Sequence, residues 1–290
     1  MRKPISFTAV AIILGLVAAC GSEDTPPPAD MSASAAPAPV AAQPTETPAS
    51  SARPSTGEML AYAEVEGTLA RGYLAYPSDM IEPLPAIMLL HDWFGLDENV
   101  KTLAKNLASQ GYVVLAVDLF DGRTGTLPRD TRDALVRMLE KPELTRTNLE
   151  QAIMFVRETV GSPRLAMLGF GSGGLWSLNT ALATPDEFRA LILVQGQTLP
   201  DADRLETLSN VPMLGIYGAA DRSIPQDAVR EFGDALTDAE VTHTIRLYPT
   251  AGNAFMLRTS RNYSPKQAES AWEVIHEFLS EHLAGETPVR

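Results

Sequence analysis

The run LGFGSGG, residues 168–174, lies between an apolar segment and a segment of helical composition. Its glycines satisfy two unrelated patterns. One is G-x-Nuc-x-G, a sharp strand-to-helix turn that lifts a nucleophile above a sheet. The other is G-x-G-x-x-G, matched by Gly169, Gly171 and Gly174, in which a helix start receives a pyrophosphate. The second pattern needs an acidic residue at the end of the following strand to hold a ribose hydroxyl. That strand, ALILVQGQ, ends in glutamine, and Asp186 and Glu187 precede it. Several strands also come before the loop, whereas the dinucleotide fingerprint usually opens a domain. The turn therefore reads as an elbow, with dinucleotide binding through Gly169–Gly174 a remote alternative.

An elbow of this kind needs small residues two places before and two places after its tip. With Gly171 at the tip these are Gly169 and Gly173. With Ser172 at the tip the preceding one is Phe170, whose ring would have to occupy a crowded site. Sterics favour Gly171, and glycine adopts positive φ freely. Asp92, Asp221 and Asn253 also fall just after predicted strands, so one shared site at the strand ends follows from spacing alone. Of the four histidines, His276 and His282 lie on the terminal helix as surface or packing residues, and His243 starts a strand. No paired His or HxxH spacing supports a metal, and no cofactor is implied.

The elements that would position these residues alternate in type. AYAEVEG and LARGYLAYP read as a first hairpin. AIMLLHDWFG and YVVLAVDLF are short apolar runs, as in strands covered on both faces. LDENVKTLAKNLASQG has helical spacing and a terminal glycine, and residues 128–160 carry two helical patterns broken near Pro142. Strand 164–169, helix 174–183, strands 189–195 and 212–218, helix 226–237, strand 242–248 and the helix SPKQAESAWEVIHEFLSEHL follow. The expected class is α/β, a mostly parallel central sheet with helices on both faces.

From about Arg71 to Leu283 the chain resembles the dienelactone hydrolase family of α/β-hydrolases. The matching pieces are GYLAYP, PAIMLLHDWFGL, LASQGYVVLAVDLFDG, LGFGSGG, VPMLGIYGAADRSIP and LYPTAGNAF, in the family's order and at its spacing. The resemblance implies an α/β-hydrolase fold with a Cys-His-Asp triad. In the family the elbow reads GFCxGG and the histidine loop GAGHAF. Here Gly171 stands at the cysteine position and Asn253 at the histidine position, while Asp221 keeps the acid. The resemblance further implies that His91 braces the oxyanion loop, that the backbone N–H groups of Ser172 and Trp93 form the oxyanion hole, and that Asp92 takes the place of a glutamate facing the thiol. Arg123 and Arg258 lie near loops where the family holds substrate carboxylates, neither cleanly in register.

An asparagine amide cannot accept and return a proton near neutral pH. The expectation is a pseudoenzyme: no triad-based hydrolysis, with a small acyl or carboxylate ligand, or a partner, in the old pocket. The alternative is an active carboxylic-ester hydrolase with a rearranged site, using Ser172 or a water near Asp92.

The first twenty residues carry Arg2 and Lys3 before the apolar run FTAVAIILGLVAA, the build of a signal peptide, and LVAAC resembles a bacterial lipobox ending at Cys20, the only cysteine. Residues 21–57, rich in Pro, Ala and Ser, read as a disordered tether to a domain over 58–285. The expected location is the cell envelope, lipid-anchored through Cys20 on the periplasmic or outer-membrane face. The formal net charge of −13 becomes −15 once Arg2 and Lys3 are removed (−13 − 2). With no Lys/Arg cluster, nucleic acid is not an expected partner.

Overall fold

The computed structural model describes residues 53–125, 127 and 129–283. The signal segment and most of the tether lie outside the described residues. Strand β1 (Ser55–Val65) begins before the domain boundary expected at residue 58, because it pairs antiparallel with β2 (Thr68–Pro77) from Ser55 opposite Pro77. The remaining strands are β3 (Ala86–Leu90), β4 (Val113–Val117), β5 (Leu165–Phe170), β6 (Ala190–Val194), β7 (Met213–Gly218) and β8 (His243–Tyr248). They form one sheet in the order β1-β2-β4-β3-β5-β6-β7-β8, parallel from β4 to β8. Every residue of β3, β4 and β6 is buried, which explains their unbroken apolar sequences.

The helices are α1 (Glu98–Ala108), α2 (Arg132–Glu140), α3 (Pro142–Met154), α4 (Ser172–Ala183), a single turn α5 (Ala202–Leu205), α6 (Gln226–Asp238) and α7 (Pro265–Leu283). Asp97 starts α1 by accepting the Val100 N–H on its side chain, while Glu98 and Lys105 suit the two ends of the helix dipole. Alternate strand residues face two cores. Met88, Leu115, Met167 and Leu193 pack beneath α2, α3, α4 and α6. Ile87, Val114, Leu168 and Ile192 pack beneath α1 and α7, whose Ala268, Ala271, Ile275, Leu279 and Leu283 recur at helical spacing.

The chain leaves β3 toward β4 on one side and returns with β5 on the other side of β3. Such a reversal, here at the carboxyl ends of β3 and β5, is where ligands bind in open α/β sheets. The loop carrying Asp92 and the turn carrying Gly171 both leave from there.

Candidate active site

Gly171 is the tip of the turn, with φ 50° and ψ −113°, between the last residue of β5 and the first of α4. Its N–H donates to the Val194 carbonyl at 2.9 Å, and its carbonyl accepts from the Gly174 N–H at 3.0 Å. The neighbouring glycines are required by packing. A Cβ on Gly169 would lie 2.2 Å from Ser177 Oγ and 2.5 Å from the Gly173 carbonyl oxygen. One on Gly173 would lie 2.4 Å from the His91 carbonyl oxygen, and one on Gly174 would lie 2.7 Å from Gly196 Cα. A tight elbow packed against β3 and the end of β6 thus accounts for every glycine of the apparent dinucleotide pattern. Ser172 is the first helical residue, and among the described residues no hydrogen bond joins its hydroxyl to a histidine.

Asp221 follows β7 and is buried. Its Oδ1 accepts from the Ser223 N–H at 2.8 Å and from the Ser223 hydroxyl. Its Oδ2 accepts from Gln195 Nε2 at 2.8 Å and from Asn253 Nδ2 at 3.2 Å. Asn253 Nδ2 also donates to Ser223 Oγ at 3.2 Å, and the Asn253 carbonyl accepts from Asn262 Nδ2 at 2.9 Å. The structure therefore brings Asp221 and Asn253 together as acceptor and donor. Gln195, Ser223 and Asn262 complete this cluster and were not singled out from sequence. The available signal for Gln195 was a polar side chain directly after a buried strand.

On the facing loop, His91 is buried with both ring nitrogens engaged. Nδ1 lies 2.8 Å from the Asp92 carbonyl oxygen, and Nε2 accepts from the Leu119 N–H at 3.0 Å. An accepting Nε2 leaves the proton on Nδ1, so the ring is neutral and ties two loops together, with its pKa lowered by burial. This is the bracing role expected of it. Asp92 Oδ1 accepts from the Phe94 N–H at 3.1 Å, and burial pushes its carboxyl up to about 6. The Asp92 Cβ lies 3.3 Å, and Trp93 Nε1 3.7 Å, from where a Cβ on Gly171 would stand. The buried Thr131 donates its hydroxyl to the Trp93 carbonyl. Neither the Ser172 nor the Trp93 N–H has a protein acceptor among the described residues.

The other histidines stand apart from this cluster, and the two arginines have these contacts. His243 Nδ1 lies 2.9 Å from the Val241 carbonyl at the amino end of β8, His276 pairs with Gln110, and the His282 ring packs on Phe278. The Arg258 guanidinium lies 6.0 Å from the Tyr263 ring centroid, and the Arg123 carbonyl oxygen packs against Gly95. Among the described residues there is no group of three or more His, Cys, Asp or Glu that could hold a metal, and no helix long and apolar enough to cross a membrane.

Comparison with known proteins agrees with this architecture. Residues 70–283 match the family model described as the dienelactone hydrolase family. A relative from Escherichia coli (strain K12), named "Putative carboxymethylenebutenolidase", is 28% identical over 232 residues, covering 75% of this chain and 84% of its own. The crystal structure of a dienelactone hydrolase-like promiscuous phosphotriesterase from metagenomic libraries superposes with a TM-score of 0.71 at 18% identity, covering 80% of this chain and 100% of that one. Brefeldin A esterase, a bacterial homologue of human hormone-sensitive lipase, superposes at 0.64 with 14% identity, covering 83% of this chain and 81% of that one. The last two likenesses are likenesses of fold.

Proposed function

Because the chain belongs to the dienelactone hydrolase family, with residues 70–283 matched, we propose that it keeps that hydrolase scaffold without the thiol–imidazole relay and uses the carboxyl end of the sheet to hold a small acyl compound or carboxylate. The observation that carries this reading is the identity of two residues. The positive-φ tip is Gly171, which has no side chain to attack with, and the donor to Asp221 that stands at the family's histidine position is Asn253, which cannot shuttle a proton. Loss of a triad nucleophile removes about six orders of magnitude in kcat. The backbone donors of Ser172 and Trp93 do not depend on side-chain identity and would receive a ligand carbonyl oxygen. Purified protein assayed with p-nitrophenyl butyrate is expected to give no saturable turnover, and a fluorophosphonate probe is expected to leave Ser172 unlabelled. Saturable hydrolysis abolished by Asp221→Ala would overturn the reading.

A second reading, hydrolysis by an activated water, is favoured by one feature. Asp92 is raised to about 6 beside the space that a Gly171 side chain would fill. Its carboxylate would take a proton from water as the hydroxide adds to an ester carbonyl carbon, then return that proton to the departing alkoxide. Such an activity would rise through pH 6, vanish in Asp92→Asn and survive Asp221→Ala, which separates it from triad catalysis.

Attachment to the cell envelope through Cys20 is part of the same proposal, supported by the LVAAC segment. Cys20→Ser is expected to move the chain from the membrane pellet to the soluble fraction; retention in the pellet would refute the anchor.

A further inference from the structure

We propose that the edge of the sheet formed by β8, with helix α6 beside it, docks a second copy of this chain by antiparallel β8–β8 pairing across a two-fold axis at Ile245. Strand β8 ends the sheet and pairs only with β7, in parallel register from Met213 opposite His243 to Gly218 opposite Tyr248. The Thr242 and Tyr248 carbonyls accept from the Met213 and Ala219 N–H groups at 2.9 and 2.8 Å. Alternate residues of a strand turn their main-chain groups to the same neighbour. Thr244 and Arg246 therefore face β7, while His243, Ile245 and Leu247 turn theirs outward. Among the described residues no strand pairs with that outer row.

The same three residues line a groove against Arg230, Gly233 and Asp234 of α6. A Cβ on Gly233 would lie 3.3 Å from Ile245 Cδ1, which sets Gly233 level with Ile245. Leu247 is 40% exposed. The two edges of the sheet differ in how they are guarded. At the far edge, β1 carries Glu58 and Glu64, and its pairing with β2 shifts between Ala61 and Ala63. Charges and irregularities of that kind discourage strand addition. Strand β8, HTIRLY, has no proline, no lysine and an unbroken register, and its one charged residue, Arg246, belongs to the alternate set that does not line the groove.

Self-complementarity selects a second copy as the occupant. A register centred on Ile245 sets that residue opposite its own copy and His243 opposite Leu247 of the other, each pair exchanging two N–H···O bonds. The exposed Leu247 is then covered across the strands by the His243 ring. Helix α6 joins two parallel strands, so it runs antiparallel to β8, and the axis passes level with Gly233. Rotation about it turns Arg230 of one copy toward Asp234 of the other. Arg230 also reaches Asp227 in its own helix at 2.9 Å, and a guanidinium fork can serve both carboxylates. One cation and one anion a helical turn apart complement themselves under a two-fold rotation, as an isologous contact requires. Because these two charges cancel, a strongly basic or acidic foreign strand gains nothing from them.

The test is sedimentation equilibrium on the full chain carrying Cys20→Ser, which removes the sole native thiol. A monomer–dimer equilibrium is expected. Leu247→Pro deletes an outward N–H without touching a bond to β7 and should abolish the dimer. Arg230→Asp or Asp234→Arg alone, both at exposed positions, should weaken it roughly tenfold, and the two together should restore it. Ile245→Cys should oxidise to a covalent dimer, because residues opposed in a hydrogen-bonded pair lie about 5.5 Å apart at Cα, within disulfide reach. Thr244→Cys, displaced from its own copy by two positions along the strand, should stay uncrosslinked. A chain that remains monomeric up to about 100 μM overturns the inference, whether the edge stays bare or takes a strand of another protein. A dimer indifferent to Leu247→Pro and to both charge reversals, or crosslinked as readily through Thr244→Cys as through Ile245→Cys, also overturns it.

Discussion

At the residue scale, Asp92 and Gly171 stand side by side and carry opposite kinds of strain. Burial raises the Asp92 carboxyl from 3.8 to about 6, with Asp97 adding like charge and the Phe94 N–H opposing. The neutral form is therefore favoured by folding. Stability from this group is fully present below about pH 4 and is lost as pH rises through 6. Asp92→Asn should then stabilise the protein at pH 8 by about 1–3 kcal/mol and match the wild type at pH 4, as read by urea denaturation. At Gly171 the strain is conformational, since φ 50° with ψ −113° lies outside the region L side chains favour. Gly171→Ala is expected to cost about 1–3 kcal/mol, whereas Ser172→Ala should stay within about 0.5 kcal/mol. Equal effects in thermal unfolding would mean that the tip is misassigned. The tip itself was legible in sequence, because only Gly171 has small residues two places on either side. Gln195 was not: nothing local reveals that its amide crosses to Asp221, 26 positions away.

At the element scale, the elbow is held by main chain pressed against main chain. Gly173 sits where a Cβ would lie 2.4 Å and 2.5 Å from the His91 and Leu90 carbonyl oxygens, both fixed at the end of β3. Gly173→Ala should therefore cost about 3 kcal/mol, because the helix must lift off the sheet rather than a side chain move aside. A melting temperature within a degree or two of wild type would contradict this packing. The same elements explain where sequence reading worked. Strands β3 to β7 lie under helices on both faces, so burial writes them as short apolar runs, while α1, α6 and α7 bury one stripe and carry helical spacing. Helix α4 starts at Ser172, two residues before the expected position, because the first turn of a helix is set by the elbow and not by apolar spacing. The turn α5 at Ala202–Leu205 was not anticipated, being too short to establish a period, and the expected helix after Pro142 ends in a π-helical turn, Phe155–Thr159, that apolar spacing does not distinguish.

At the scale of the whole molecule, the carboxyl end of the sheet carries the loops after β3, β5, β6, β7 and β8 on which these residues sit. If the scaffold has kept its geometry, chemistry should return when the two missing groups are supplied. Gly171→Cys with Asn253→His is expected to hydrolyse p-nitrophenyl butyrate in a manner abolished by iodoacetamide, with each single variant inactive. A double variant that is folded by circular dichroism yet silent would mean that the pocket as well as the triad has changed. The fold class, the family and the identity of the tip were determined by sequence alone, because backbone periodicity and local steric demands are written in consecutive residues. Tertiary structure decided the state of the polar groups. It closed both nitrogens of His91, saturated Asp221 with Gln195, Ser223 and Asn253, and set the Asp92 Cβ beside Gly171. Hydrogen bonds of that kind join residues distant in the chain, and their partners are fixed only when the sheet brings its strand ends together.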